Sequence, residues 1–76
     1  MLSIILYGKL KKLVTYSKMT QISTIEIPYV ENETLEGCLI RLGLTKDDAG
    51  EMFINHCLSY YRDIIPHDES RIGLFP

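Results

Sequence analysis

The residues best suited to nucleophilic or metal chemistry in this chain are Cys38, His56, Cys57 and His67. A cysteine nucleophile needs a base within hydrogen-bond reach and a third group to orient that base. His56 and Cys57 are neighbours in a stretch that reads as strand, so their side chains point to opposite faces. His67 falls in the polar loop Pro66 to Ser70 (PHDES). The cysteines form neither a Cys-x-x-Cys pair nor a zinc-ligand spacing and are expected as two reduced, mostly buried thiols. Asp47, Asp48 and Glu51 are a dense acidic group, but the rest of a calcium loop is missing around them, which leaves a solvated connection. The chain is therefore expected to be no enzyme and to hold no metal or cofactor. Lys9, Lys11 and Lys12 form a basic cluster, read as a solvated face, with docking of an acidic partner as its functional alternative.

The elements that position these residues must fit in 76 residues, which is one domain, 1–76. The apolar share of 46% and charged share of 24% are those of an ordinary globular chain. A net charge of −2 gives no electrostatic basis for nucleic-acid binding. The longest aliphatic–aromatic run, Ile4 to Tyr7, is far too short to span a bilayer. Strand-like sequence follows Met1 directly, without the pattern of a secretory signal, so the expected location is cytoplasmic.

Leu2 to Tyr7 (LSIILY) reads as a strand with Leu2, Ile4 and Leu6 on one face and Ser3, Ile5 and Tyr7 on the other. Two apolar faces mean either a central strand covered twice or a face reserved for a partner. Gly8 to Ser17 fits either a helical turn, through Leu10, Leu13 and Val14, or a twisted hairpin connection. Thr24 to Ile27 alternates, with Ile25 and Ile27 inward, and Pro28 ends it. The first two strands are expected to pair. In Thr34 to Leu42 (TLEGCLIRL), Leu35, Cys38, Leu39 and Leu42 make the apolar stripe of a helix. Asn32 or Thr34 caps its start, and Gly43 ends it in the left-handed conformation. Gly37 weakens this helix by roughly 1 kcal/mol relative to alanine and is read as a point of close helix–sheet packing. Met52 to Asn55 is a third strand, Asn55-His56 a turn, Cys57 to Tyr61 a short return, and Arg71 to Phe75 the last strand with Ile72 and Leu74 inward. Ile64 and Ile65 plug the core beneath the loop, and Arg71 pairs with Asp68 or Glu69. A mixed sheet of four to five strands over one main helix is an α+β fold, the β-grasp.

In this order the chain resembles the MoaD/ThiS family, the ubiquitin-like sulfur carriers of molybdopterin and thiamine synthesis. The likeness is carried by Leu2 to Val14 (LSIILYGKLKKLV), by Thr34-Leu35 entering a helix that ends at Leu42-Gly43-Leu44, by the turn at Asn55, by Ile64-Ile65, and by Ile72-Gly73-Leu74-Phe75-Pro76 after an acidic loop. It departs from the family at Asn55-His56 and at His67-Asp68-Glu69, where Asn-Gly and Asp-Gly-Asp are usual. The resemblance implies chemistry on a flexible tail beyond the Phe-Pro pair, ending in Gly-Gly. An activating enzyme adenylates its terminal carboxylate with ATP, and sulfide then replaces AMP to give a thiocarboxylate. The sequence stops at Pro76, so that role passes to no residue present. The expectation is a non-catalytic binding subunit. It would dock a larger protein (synthase-like, activating-enzyme-like or oxidoreductase) through an outward apolar face of Ile5, Tyr7, Phe53 and Phe75, with Pro76 beside it. Two alternatives stand beside it: a genuine sulfur carrier for molybdenum- or tungsten-cofactor or thiamine synthesis whose chain continues past Pro76, and a face in which Tyr7 and Phe53 are covered by the chain's own Lys9–Met19 segment.

Overall fold

Period-two burial marks four of the five described strands. The computed structural model describes residues 1–8, 10 and 24–76. In it, β1 (Leu2–Leu6), β2 (Thr24–Ile27), β3 (Glu51–Ile54), β4 (Cys57–Ser59) and β5 (Arg71–Phe75) form one five-stranded sheet in the order β2-β1-β5-β3-β4. β1 and β5 run parallel at its centre, and the other neighbours are antiparallel. The register sets Ile4 opposite both Ile25 and Ile72, and Met52 opposite Leu74, so the inward side chains of successive strands meet on one face.

That face is closed by helix α1 (Leu35–Arg41). Leu35, Cys38 and Leu39 join Leu2, Ile4, Leu6, Ile25, Ile27, Ile72 and Leu74 in a single buried cluster. A seven-residue helix does not stand alone in water, and its ends are held from outside. The Thr34 hydroxyl accepts from Gly37 N–H at 3.2 Å, and Leu35 and Glu36 donate to the carbonyls of Asp63 and Tyr61, each at 2.8 Å. The amides that a helix start leaves unpaired are thus satisfied. At the other end Gly43 adopts φ +82°, Gly43 N–H donates to Ile40 O, and Leu44 N–H donates to Leu39 O. This is the Schellman closure, with the buried pair Leu39 and Leu44 packed beneath it. Among the described residues no helix is long and apolar enough to cross a membrane.

Several expectations are corrected. Thr34 is the cap, while Asn32 sits at φ 63° in the preceding turn. Gly37 does not make close sheet contact. A Cβ there would lie 3.0 Å from Glu33 Cγ, because the Glu33 side chain crosses Gly37 to meet Arg41 in two bonds of 2.6 and 2.8 Å. Ile65 is buried, but Ile64 is 56% exposed and bridges Thr34 through its backbone. Arg71 does not pair with the neighbouring acids; Asp68 and Glu69 instead hold the Met1 amino group. Three strand bounds differ from those expected: β1 ends at Leu6 and β4 stops at Ser59, both shorter, while β3 keeps four residues but is shifted one position back, to Glu51–Ile54. The Lys9, Lys11 and Lys12 cluster, the helix-or-hairpin reading of 9–17 and the covering role of 9–19 lie outside the described residues, apart from Leu10, which is buried.

Candidate interaction face

The sheet has a second face, and alternation assigns it Ser3 and Ile5 from β1, Arg71, Gly73 and Phe75 from β5, and Glu51 and Phe53 from β3. Tyr7 lies just past β1, yet its N–H still donates to Leu74 O at 3.0 Å, which keeps the ring on this side. Tyr7 and Phe75 stack with centroids 4.1 Å apart and planes 5° apart. Phe53 meets Phe75 edge-on at 5.6 Å and 71°. Such pairs are each worth about 0.5–1.5 kcal/mol beyond burial, so the rings hold one another in place before any partner arrives. Gly73 stands opposite both Ile5 and Phe53. Its missing side chain makes the floor of a depression of about 200 Å³ walled by Ile5, Tyr7, Phe53, Phe75, Arg71 and His56.

The four expected apolar residues are therefore brought together, with Tyr7 39% exposed and Ile5, Phe53 and Phe75 half-buried. Pro76 is exposed and follows Phe75 at the end of the face away from Arg71. There Gly50 N–H donates to Phe75 O at 2.7 Å, and a Cβ on Gly50 would fall 2.6 Å from Pro76 O. Gly50 is thus required by close backbone approach, the use of glycine that a loop reading of 45–51 does not reveal.

Sequence reasoning missed three residues. Leu58 pairs with Phe53, shares its side of the sheet and is 55% exposed, extending the apolar surface onto the edge strand. The signal was available: a two-residue turn at Asn55-His56 sets Ile54 against Cys57 and hence Phe53 against Leu58. Arg71 and His56 give the depression a polar end. The turn carries both on a tied frame, since Asn55 N–H donates to Arg71 O at 2.8 Å and Asn55 Oδ1 accepts from Arg71 N–H at 2.9 Å.

The thiols stand apart from this face. Cys38 is buried, and its thiol is pushed up to about 12, chiefly by burial, with the Glu33 carboxylate adding and Arg41 opposing. Such a thiol is not a nucleophile near neutrality. Cys57, expected buried, is exposed. It pairs with buried Ile54 and so faces inward, but β4 is the sheet edge and its inner side opens into a groove of about 440 Å³ beside Ile64 and Pro66. His67 is exposed on the final loop, its Nδ1 2.6 Å from Asp68 O. Asp48 binds Thr45 N–H and hydroxyl at 2.8 and 3.2 Å, closing a turn. Among the described residues no group of three or more His, Cys, Asp or Glu is placed to hold a metal ion. No protein-family model, curated protein or solved structure matches this chain.

Proposed function

We propose that this chain is a β-grasp binding module, similar to the MoaD/ThiS carriers, that docks a larger protein subunit through Ile5, Tyr7, Phe53 and Phe75, with Leu58 and Pro76 at the margins. The order of the described strands, with β1 and β5 parallel at the centre and helix α1 across the inward face, supports the β-grasp reading. The observation that carries the docking role is the fixed aromatic set around Gly73: three rings and an isoleucine on the side of the sheet opposite the core. Aromatic anchors around a pocket are where interfaces concentrate their energy, and a contiguous apolar patch on a small domain is a frequent mark of a binding surface.

The sulfur-carrier alternative is favoured by one feature, the narrow approach of Gly50 to Pro76, with Gly8 at φ +58° on the other side. Both glycines keep side chains away from the place where a backbone continuing past Pro76 would leave. Intact mass of the protein from its native source separates the two readings: a longer chain ending in diglycine, active in ATP–pyrophosphate exchange with an activating enzyme, would establish the carrier.

The docking reading is tested by purification of the native protein and of Tyr7→Asp and Leu58→Asp. Both side chains are exposed enough for the charge to be tolerated by the fold. A larger chain at equal stoichiometry accompanies the native protein and is lost from both variants, while their circular dichroism is unchanged. Retention of that chain by both variants would remove the proposed face.

A further inference from the structure

The depression over Gly73 is not uniformly apolar. One end is walled by Arg71 and His56, and no carboxylate is among its lining residues. Among the described residues no ion pair engages Arg71. His56 is held at φ 70°, in the second position of a two-residue turn where glycine would be unstrained. A non-glycine residue kept in that conformation beside a depression is strain of the kind found at functional positions. The double hydrogen bond between Asn55 and Arg71 then fixes the turn and the start of β5 to each other, so both nitrogen-bearing side chains wall the same end.

Spacing adds a second constraint. Arg71 and Gly73 are two residues apart on one side of β5, which separates them by roughly 7 Å along the strand. An extended peptide repeats at the same interval. We infer that the face takes an extended acidic segment of the partner, with an apolar side chain over Gly73 and, two residues along, a carboxylate on Arg71 and His56. The inference rests on the docking reading above and specifies its partner by chemistry. The apolar group covers the aromatic floor, and Arg71 offers the planar donor pair that a carboxylate accepts.

The test is an NMR titration of the ¹⁵N-labelled protein with two blocked pentapeptides, Ser-Phe-Ser-Glu-Ser and Ser-Phe-Ser-Lys-Ser. The amides of Ile5, Gly73 and Phe75 shift with the Glu peptide, which binds about fivefold more tightly than the Lys peptide, as expected of one exposed ion pair near the upper end of its range. Arg71→Glu reverses the order, and a Glu peptide with the acid moved next to Phe loses its advantage. Equal affinity of the Glu and Lys peptides overturns the acidic inference and leaves the docking face standing. Shifts at these amides that depend on protein concentration without peptide make a second copy of the chain the occupant, and overturn it also. Absence of shifts with every peptide overturns it too, and the docking reading then stands or falls on co-purification with Tyr7→Asp.

Discussion

Replacing His56 by glycine should stabilise the fold and weaken the proposed docking face at once. The left-handed conformation costs a residue with a Cβ about 1–2 kcal/mol, and His56 stands there at φ 70° with Asn55 at 49° beside it. Glycine removes that cost but adds roughly 0.5–1 kcal/mol of backbone entropy lost on folding. The difference spans about 0–1.5 kcal/mol, and its midpoint of about 0.75 kcal/mol raises Tm by about 3–6 °C in a domain of this size. Urea unfolding followed by circular dichroism measures it directly, with an unchanged m-value showing that the denatured state is the same. The same variant removes one wall of the polar end of the depression, so its preference for the Glu over the Lys peptide should fall. Opposite signs for stability and recognition are the signature of a strained residue kept for contact. A destabilised His56→Gly protein would refute the strain argument, and an undiminished preference for Glu would refute the part given to this side chain.

Three further outcomes follow from the packing. Gly50→Ala should lose about 1–3 kcal/mol, the range for forcing a methyl into occupied space, because its Cβ would meet the Pro76 backbone at 2.6 Å and break the bond to Phe75; an unchanged urea midpoint would show that the end of β5 can swing aside. Thr34→Ala should cost about 1 kcal/mol through loss of the cap on Gly37 N–H, measured in the same way. Cys38 makes stability fall in alkali. Its thiol is raised to about 12 in the fold from 9.0 in the free state. Below pH 9 both states keep the proton and the contribution is whole; above it the unfolded chain releases a proton that the native protein retains. The wild type should therefore lose about 1.4 kcal/mol per pH unit more than Cys38→Ala as pH rises from 9 toward 12, and equal slopes would show that this thiol ionises freely in the fold.

The strands and the helix were legible because their signals are local. Alternation over Leu2–Leu6, Thr24–Ile27 and Arg71–Phe75 fixes which side chains go inward, and the stripe Leu35, Cys38, Leu39, Leu42 fixes the helix face. Ile5, Tyr7, Phe53 and Phe75 met on one side for the same reason: each is an odd step from a buried neighbour. What was not legible depends on which strand lies next to which. Cys57 has the composition of a core residue but sits where the sheet runs out. Ile64 and Ile65 are chemically alike, and only the bridge to Thr34 decides that the second is buried. Gly37 looks like a helix–sheet contact until the path of the Glu33 side chain toward Arg41 is known. The polar end of the depression needs Asn55 to reach Arg71, sixteen positions away, which no local pattern encodes.

The parallel pairing of β1 with β5 also sets when this protein can fold. Of the five described strands, the first in the sequence lies against the last, at the middle of the sheet, with Ser3 opposite Arg71 and Leu6 opposite Leu74. Joining them closes a loop of nearly the whole described chain, and contacts of such long sequence separation slow folding. On the ribosome, β1 and β2 can pair early, but β3 and β4 have no neighbour to join them to that hairpin until residues 71–75 have cleared the exit tunnel. The inward aliphatic side chains of β1 to β4 therefore stay without their full packing until β5 joins, and the sheet is completed in that one step.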